Sequence, residues 1–320
     1  MKTRAVISLD IGGTNLRMAV VTKDGAVISR SQSACRINMG RTAFLEAVSG
    51  EYEKLRKSAL RSGVNIAAVG AGVPGLIDRT GTISSAVNLK PLEDFNLKRW
   101  LESLTGLPAV VLNDANAAAI AEKSSGAGRP FSSLLHITLG TGVGSGLILD
   151  GRLWTGRDGA AAEFGHITVE PNGHVCQCGN YGCLEQYASA TAISEFAKKK
   201  LDEGVKSTLS LVKIDMLETA HVAVAAENGD SLALKCFRRA GQYLGIACAS
   251  AVNLLNPEAI IVGGQVSRSF DLIAPALRRE IDARAFHLPA ATVKLLKGEL
   301  GDNAGIMGSA AAAFSVLSSS

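Results

Sequence analysis

A chain of 320 residues is too long for one ordinary small domain and fits two of typical size. Its residues are 47% hydrophobic and 19% charged, which supplies large cores and excludes a disordered chain, and the net charge of +4 is spread along the sequence instead of forming a nucleic-acid patch. Six cysteines are too few for a disulfide scaffold of this size, and the apolar run after "MKTR" is too short to cross a membrane and precedes no small-residue cleavage site, so the expectation is a cytoplasmic protein with neither a membrane nor a nucleic-acid partner.

Residues 4–9 and 16–21 read as strands joined through Gly12-Gly13, and Asp24-Gly25 turns the chain into a further β-rich run over 23–30. Phe44, Val48, Tyr52 and Leu55 fall on one face of a helix over 43–60. Residues 65–78 read as a buried strand running into Gly and Pro, 97–106 as a helix ending at Gly106, and 108–114 as a strand followed by the Ala-rich helix of "ANAAAIAEKSSGAG". The plan then restarts: 133–154 is again strand, glycine turn, strand, with Asp150-Gly151 standing where Asp24-Gly25 stood. The Lys198–Lys200 run reads as a solvated helix face. A helix over 231–254, a strand over 258–262 followed by Gly263-Gly264, and an Ala-rich helix from Ala304 complete the chain.

Two halves that each open with strand, glycine turn and strand predict two α/β domains facing each other across a cleft. The boundaries expected are 1–115, joined by the last helix at about 304–320, and 116–303.

An Asp at the end of a buried strand costs free energy unless something binds it. Asp10 stands there, followed by Gly12, Gly13 and Thr14; the second half offers Thr141 and Gly142 in "LGTGVG". Glycine turns free backbone N–H groups to converge on a phosphate, and a neighbouring carboxylate can hold Mg²⁺, so the pattern predicts a Mg–nucleotide site of a design other than the GxxxxGK[ST] loop. Asn113 and Asp114 end a strand and enter a helix; by themselves they first suit an N-cap, with a functional pair as the alternative. Cys176, Cys178 and Cys183 crowd into eight residues, with His166 ten residues before the first and His174 only two before it. Three thiolates and one imidazole make a closed set suited to structural zinc, with either histidine as the fourth ligand. Cys35, Cys236 and Cys248 read as small core hydrophobes.

These segments together resemble the ROK family of sugar kinases over nearly the whole chain: "DIGGTNLR" and "LGTGVGSGLILDG" are similar to its two phosphate segments, and "IIVGGQ" (260–265) to its adenosine segment. The resemblance implies the actin/hexokinase-type fold of two ribonuclease-H-like domains with an interdomain cleft, and an ATP-dependent kinase that phosphorylates a hexose. D-glucose is favoured by the likeness of "CGNYGCLEQYASATAI" to ROK glucokinases. It implies Asp114 as the base that takes the sugar hydroxyl proton, and sugar contacts from Gly75, Asn88, Asn113, Glu163, His166 and Glu185. It further implies Gly264 at the nucleotide, His166 as the zinc histidine within a module at 163–185, Mg²⁺ with ATP, and a homodimer or dimer of dimers. Two departures stand out. Gln265 replaces a frequent third glycine, and Ala162 replaces the glycine usual before Glu163. Kinases of N-acetylmannosamine, N-acetylglucosamine, fructose or allose share these motifs. So do ROK repressors and sensors, although with "DIGGT" beginning at residue 10 the expectation is a chain without their N-terminal helix-turn-helix.

Overall fold

The computed structural model describes residues 3–86 and 89–318. Its first sheet has five strands in the order Val27–Ala34, Asn15–Thr22, Arg4–Ile11, Asn65–Val73, Ala109–Asn113. The first three are antiparallel neighbours, and the last two run parallel to Arg4–Ile11. The strand Arg4–Ile11 is buried on both faces, and its side chains divide with period two. Ala5, Ile7, Leu9 and Ile11 enter a core with Phe44, Val48, Tyr52 and Leu55 of the helix Arg41–Arg61. Val6 turns the other way, onto Ile306, Ala310 and Ala313 of the C-terminal helix Ala304–Ser318. Each such fully buried large side chain contributes about 1.5–3 kcal/mol.

The second five-stranded sheet repeats the plan: Arg152–Trp154, Val143–Leu149, Leu134–Leu139, Ala259–Gly263, Lys294–Lys297. Again an antiparallel hairpin leads, and two parallel strands follow the central one. Asp150 and Gly151, with φ 49° and 76°, form the paired left-handed turn that a tight hairpin favours. A small sheet of Leu76–Ile77, Thr82–Ser85 and Phe95–Asn96 completes the strands described.

The chain divides into two compact units, one of Met1–Pro130, Gly146–Ala162 and Asp302–Ser320, the other of Phe131–Ser145 and Glu163–Gly301. The sequence suggested a first boundary at 115/116. The compact unit instead runs on to Pro130, because the helix Asp114–Ser125 packs against the C-terminal helix so tightly that a Cβ on Gly308 would strike the Ala117 carbonyl.

The strand expected over 65–78 stops at Val73 and resumes at Leu76–Ile77, broken by Gly75 at φ 120°. The helix face expected at Lys198–Lys200 lies on the helix Ala190–Asp202, while other helices have no counterpart in the sequence reading, among them Thr219–Glu227 and Phe270–Arg284, the last continuing through Pro275. Among the described residues no helix is long and apolar enough to cross a membrane.

Candidate functional site

In the first unit the site grows from the alternation of the first strand. Val6, Ser8 and Asp10 share the face that meets the C-terminal helix. Ser8 Oγ donates to the Ile306 carbonyl at 2.6 Å, and Asp10 continues the same row to the helix N-terminus, beside Gly305. Arg17 Nη1 donates to Asp10 Oδ2 at 3.5 Å and to the Asp302 carbonyl at 3.4 Å. Burial raises the Asp10 pKa; Arg17 opposes the shift and Asp302 adds to it. The turn that follows holds Gly12, Gly13 and Thr14, with Gly12 N–H donating to the Asn15 carbonyl at 2.8 Å. Neither glycine has a positive φ, and a Cβ on Gly12 would meet only an ordinary contact at 3.4 Å. The local fold therefore does not require glycine at position 12.

Asp114 lies two strands from Asp10, at the same carboxyl end of the parallel strands. The register runs Asp10–Gly72–Leu112, and Asp114 begins the helix just beyond. Asn113 caps that helix: its Oδ1 accepts from Ala115 N at 2.9 Å and Asn116 N at 3.1 Å, while Nδ2 donates to the Gly75 carbonyl at 3.0 Å. Asp114 Oδ1 also accepts from Ala115 N at 2.9 Å. Burial first, with the charge of Asp10 adding to it, raises the Asp114 carboxyl to about 6, and the Ala115 N–H pulls against that shift. Gly75 sits next to this pair through the Asn113 bond; Asn88 lies outside the described residues.

In the second unit Thr141 and Gly142 form the turn after Leu134–Leu139, and Gly264 follows the parallel neighbour Ala259–Gly263. Gly264, at φ 80°, comes so close that a Cβ there would strike the Leu139 carbonyl. Gly142 and Gly264 thus share one carboxyl edge, where α/β sheets place ligands. The turn is gripped from outside the sheet. Glu185 Oε2 accepts from Val143 N at 2.9 Å, Ala190 N donates to the Gly140 carbonyl at 2.8 Å, and Thr191 Oγ1 donates to the Thr141 carbonyl at 2.9 Å. Glu163 precedes a short turn, Phe164–His166, and its carbonyl accepts from His166 N at 3.0 Å.

His166, Cys176, Cys178 and Cys183 bring their ligand atoms within 4.8 Å of one another. Cys176 Sγ lies 3.7 Å from His166 Nδ1, and Cys178 Sγ lies 3.6 Å from Cys183 Sγ. A tetrahedral ion with sulfur at about 2.3 Å needs sulfur–sulfur edges of about 3.8 Å, so this donor set fits zinc. Burial and the neighbouring sulfurs push the Cys183 thiol up to about 12, a state that a divalent cation would reverse. His174, the rival ligand, is elsewhere: its ring packs 5.4 Å from that of Tyr187. Gly182, at φ 65°, closes the loop against the Glu170 carbonyl.

Sequence reasoning missed Arg17, Asp302 and Gly305, which surround Asp10, and the bond from Val143 to Glu185. An arginine on the neighbouring strand carries no local signal of its partner, since only the fold brings residues 10, 17 and 302 together.

The ROK family model matches residues 6–315. The chain is 37% identical over 312 residues to the glucokinase of Halalkalibacterium halodurans, covering 96% of this chain and 94% of that one. A solved ROK family glucokinase from Streptomyces griseus, in complex with glucose and AMPPNP, superposes with a TM-score of 0.82 at 35% identity, covering 97% of this chain and 99% of that one. A solved ROK family transcriptional regulator, a homolog of the E. coli MLC protein, superposes with a TM-score of 0.89 at 28% identity, covering 97% of this chain and 77% of that one. The chain belongs to the ROK family. Its fold is of the actin/hexokinase type, with two ribonuclease-H-like α/β domains, and its glucokinase relatives support an ATP-dependent sugar kinase.

Proposed function

We propose that the protein transfers the γ-phosphoryl group of ATP to a hexose, D-glucose foremost, to give glucose 6-phosphate and ADP. The observation that carries this reading is Asp114: a carboxylate at the carboxyl end of a parallel strand, raised to about 6 by burial and by Asp10. A carboxylate in that range is still ionised at neutral pH, yet basic enough to take a hydroxyl proton as the oxygen attacks phosphorus. Phosphoryl transfer otherwise needs positioning and charge stabilisation. Asp10 is the carboxylate for Mg²⁺, which neutralises phosphate charge when bound with ATP. Gly12, Gly13, Thr14, Thr141, Gly142 and Gly264 contact the nucleotide.

The sugar hydroxyls are taken by Asn113, Asn88, Glu163, His166 and Glu185, with Gly75 shaping the loop beside Asn113. Asn113 Oδ1 already receives two helix N–H groups, so its contribution to a sugar comes from Nδ2. With Nδ1 of His166 facing the cysteines, Nε2 is left for a hydroxyl. Zinc on His166, Cys176, Cys178 and Cys183 would hold the 163–185 loop in shape and take no part in the chemistry.

A second reading is a sugar-responsive regulator without catalysis, favoured by the TM-score of 0.89 to the transcriptional regulator. Incubation with ATP and glucose, N-acetylmannosamine, N-acetylglucosamine, fructose or allose separates them. The kinase reading expects phosphorylation, fastest with glucose; glucose binding with no phosphorylated product from any of the five sugars would leave the regulator.

A further inference from the structure

Glu185 and the phosphate turn are built as one piece. Val143 N–H, the first donor after the turn, is given to Glu185 Oε2 at 2.9 Å. Gly142 leaves the room for that bond, since a Cβ there would strike the same Oε2. The residues that follow Glu185 hold the rest of the turn, through Ala190 N to the Gly140 carbonyl and Thr191 Oγ1 to the Thr141 carbonyl. Gly140, Thr141 and Val143 are therefore all held by one segment, 185–191. That segment begins two residues after Cys183 of the metal cluster, and the short helix Glu185–Ala188 leads directly into Ala190–Asp202, capped by Ser189.

We propose that Glu185 is a positioning residue for the nucleotide turn as well as a sugar ligand, so that the two subsites are energetically linked through the Val143–Glu185 bond. This rests on the kinase reading above. A carboxylate that gives one lone pair to Val143 N–H and others to a sugar hydroxyl is fixed from both sides. Ordering it with either ligand lowers the cost of binding the other. The linkage must also be reciprocal: disturbing the turn weakens sugar binding, and disturbing Glu185 weakens nucleotide binding. A glutamate serving the sugar alone has no reason to alter nucleotide affinity when no sugar is present. A glycine serving phosphate alone has no reason to alter sugar affinity when no nucleotide is present.

The test is a pair of binary titrations by calorimetry on the intact protein. In the first, Mg–AMPPNP is titrated without sugar into wild type, Glu185→Ala and Glu185→Gln. The expected result is a loss of at least about fivefold in affinity for Glu185→Ala and near wild-type affinity for Glu185→Gln, because the Gln carboxamide oxygen still accepts from Val143. In the second, glucose is titrated without nucleotide into wild type and Gly142→Ala. Displacement of Glu185 is expected to weaken glucose by a similar factor. Metal content measured on each variant shows whether the 163–185 loop is intact. The proposal is overturned if Glu185→Ala binds AMPPNP as wild type does, if Glu185→Gln fails to rescue with its metal retained, or if Gly142→Ala binds glucose unchanged. Wild-type protein that binds neither glucose nor AMPPNP removes the kinase reading itself, a result distinct from these three.

Discussion

Gly305 leaves the space that Asp10 fills. A Cβ at position 305 would sit 2.6 Å from the Asp10 carboxyl carbon and within 2.9 Å of both its oxygens. The carboxylate consequently rests against the N-terminal turn of the helix Ala304–Ser318, where the helix dipole and its free N–H groups favour negative charge. Gly305→Ala ordinarily improves a helix by up to about 1 kcal/mol. Here it is expected to displace Asp10 and raise KM for MgATP about tenfold or more, with the binary Kd for glucose unchanged. Steady-state kinetics together with calorimetry check this, and an unaltered KM for MgATP would show that Asp10 tolerates the push.

Asp114 carries predictions of opposite sign for activity and for stability. As the base, Asp114→Asn should lower kcat by about 10²–10⁴ while glucose affinity stays nearly constant. A variant keeping more than about a tenth of wild-type kcat would count against the assignment. In the wild type kcat/KM for glucose should fall as pH drops through about 6, where the carboxylate takes up its proton, and level off above about pH 7.

The same raised pKa works against stability. The folded value of about 6 exceeds the ordinary 3.8, so the unfolded chain releases this proton more readily. Folding is thereby penalised progressively as pH rises from about 4 through 6, by about 1–3 kcal/mol at neutral pH. Asp114→Asn removes that penalty. Its Tm should exceed that of wild type at pH 7.5, and the gap should close near pH 4; equal Tm values at both pH values would contradict the burial argument.

For the metal cluster, elemental analysis is expected to find one zinc per chain. His166→Ala and Cys178→Ser should lose it, whereas His174→Ala should retain it, since His174 packs on Tyr187 and not among the sulfurs. Zinc loss in His174→Ala with retention in His166→Ala would reverse the ligand assignment.

Ala162 occupies the left-handed region at φ 66°, where an L side chain costs about 1–2 kcal/mol. A glycine here would avoid that cost, so Ala162 leaves strain just before Glu163. Ala162→Gly should raise unfolding stability by about 0.5–1 kcal/mol after the added entropy of an unfolded glycine is subtracted. Urea denaturation measures the change, and a drop in stability would mean that the Ala162 methyl packs for more than its backbone strain.

Much of the site is local enough to be legible in the chain. The Gly12-Gly13 and Thr141-Gly142 turns, the strand-ending Asp10 and Asp114, and the cysteine triplet each fit within a dozen residues, and the repeated strand-turn-strand plan set the two sheets. The helix Phe270–Arg284 was not legible, because Pro275 lies within it and tertiary packing against Ser231–Leu255 overrides that local signal. The continuation of the first compact unit to Pro130 was not legible for a related reason. Chain order gives no hint that Ala117 and Gly308 touch backbone to backbone.

By itself the sequence determined which chemical groups this protein has and in what local order: two glycine turns, two carboxylates, three thiols and two histidines to choose between. These follow from spacing along one segment, where a few bonds fix the distance. Only the tertiary structure decided which groups share a neighbourhood. It selected His166 over His174, set Arg17 and Gly305 around Asp10, gave Asn113 its double duty as cap and as partner of Gly75, and joined Glu185 to Val143. The physical reason is that spacing along the chain does not by itself bring these partners together. Their geometry is set by how strands register and helices pack, and burial fixes their energy only once the chain has folded.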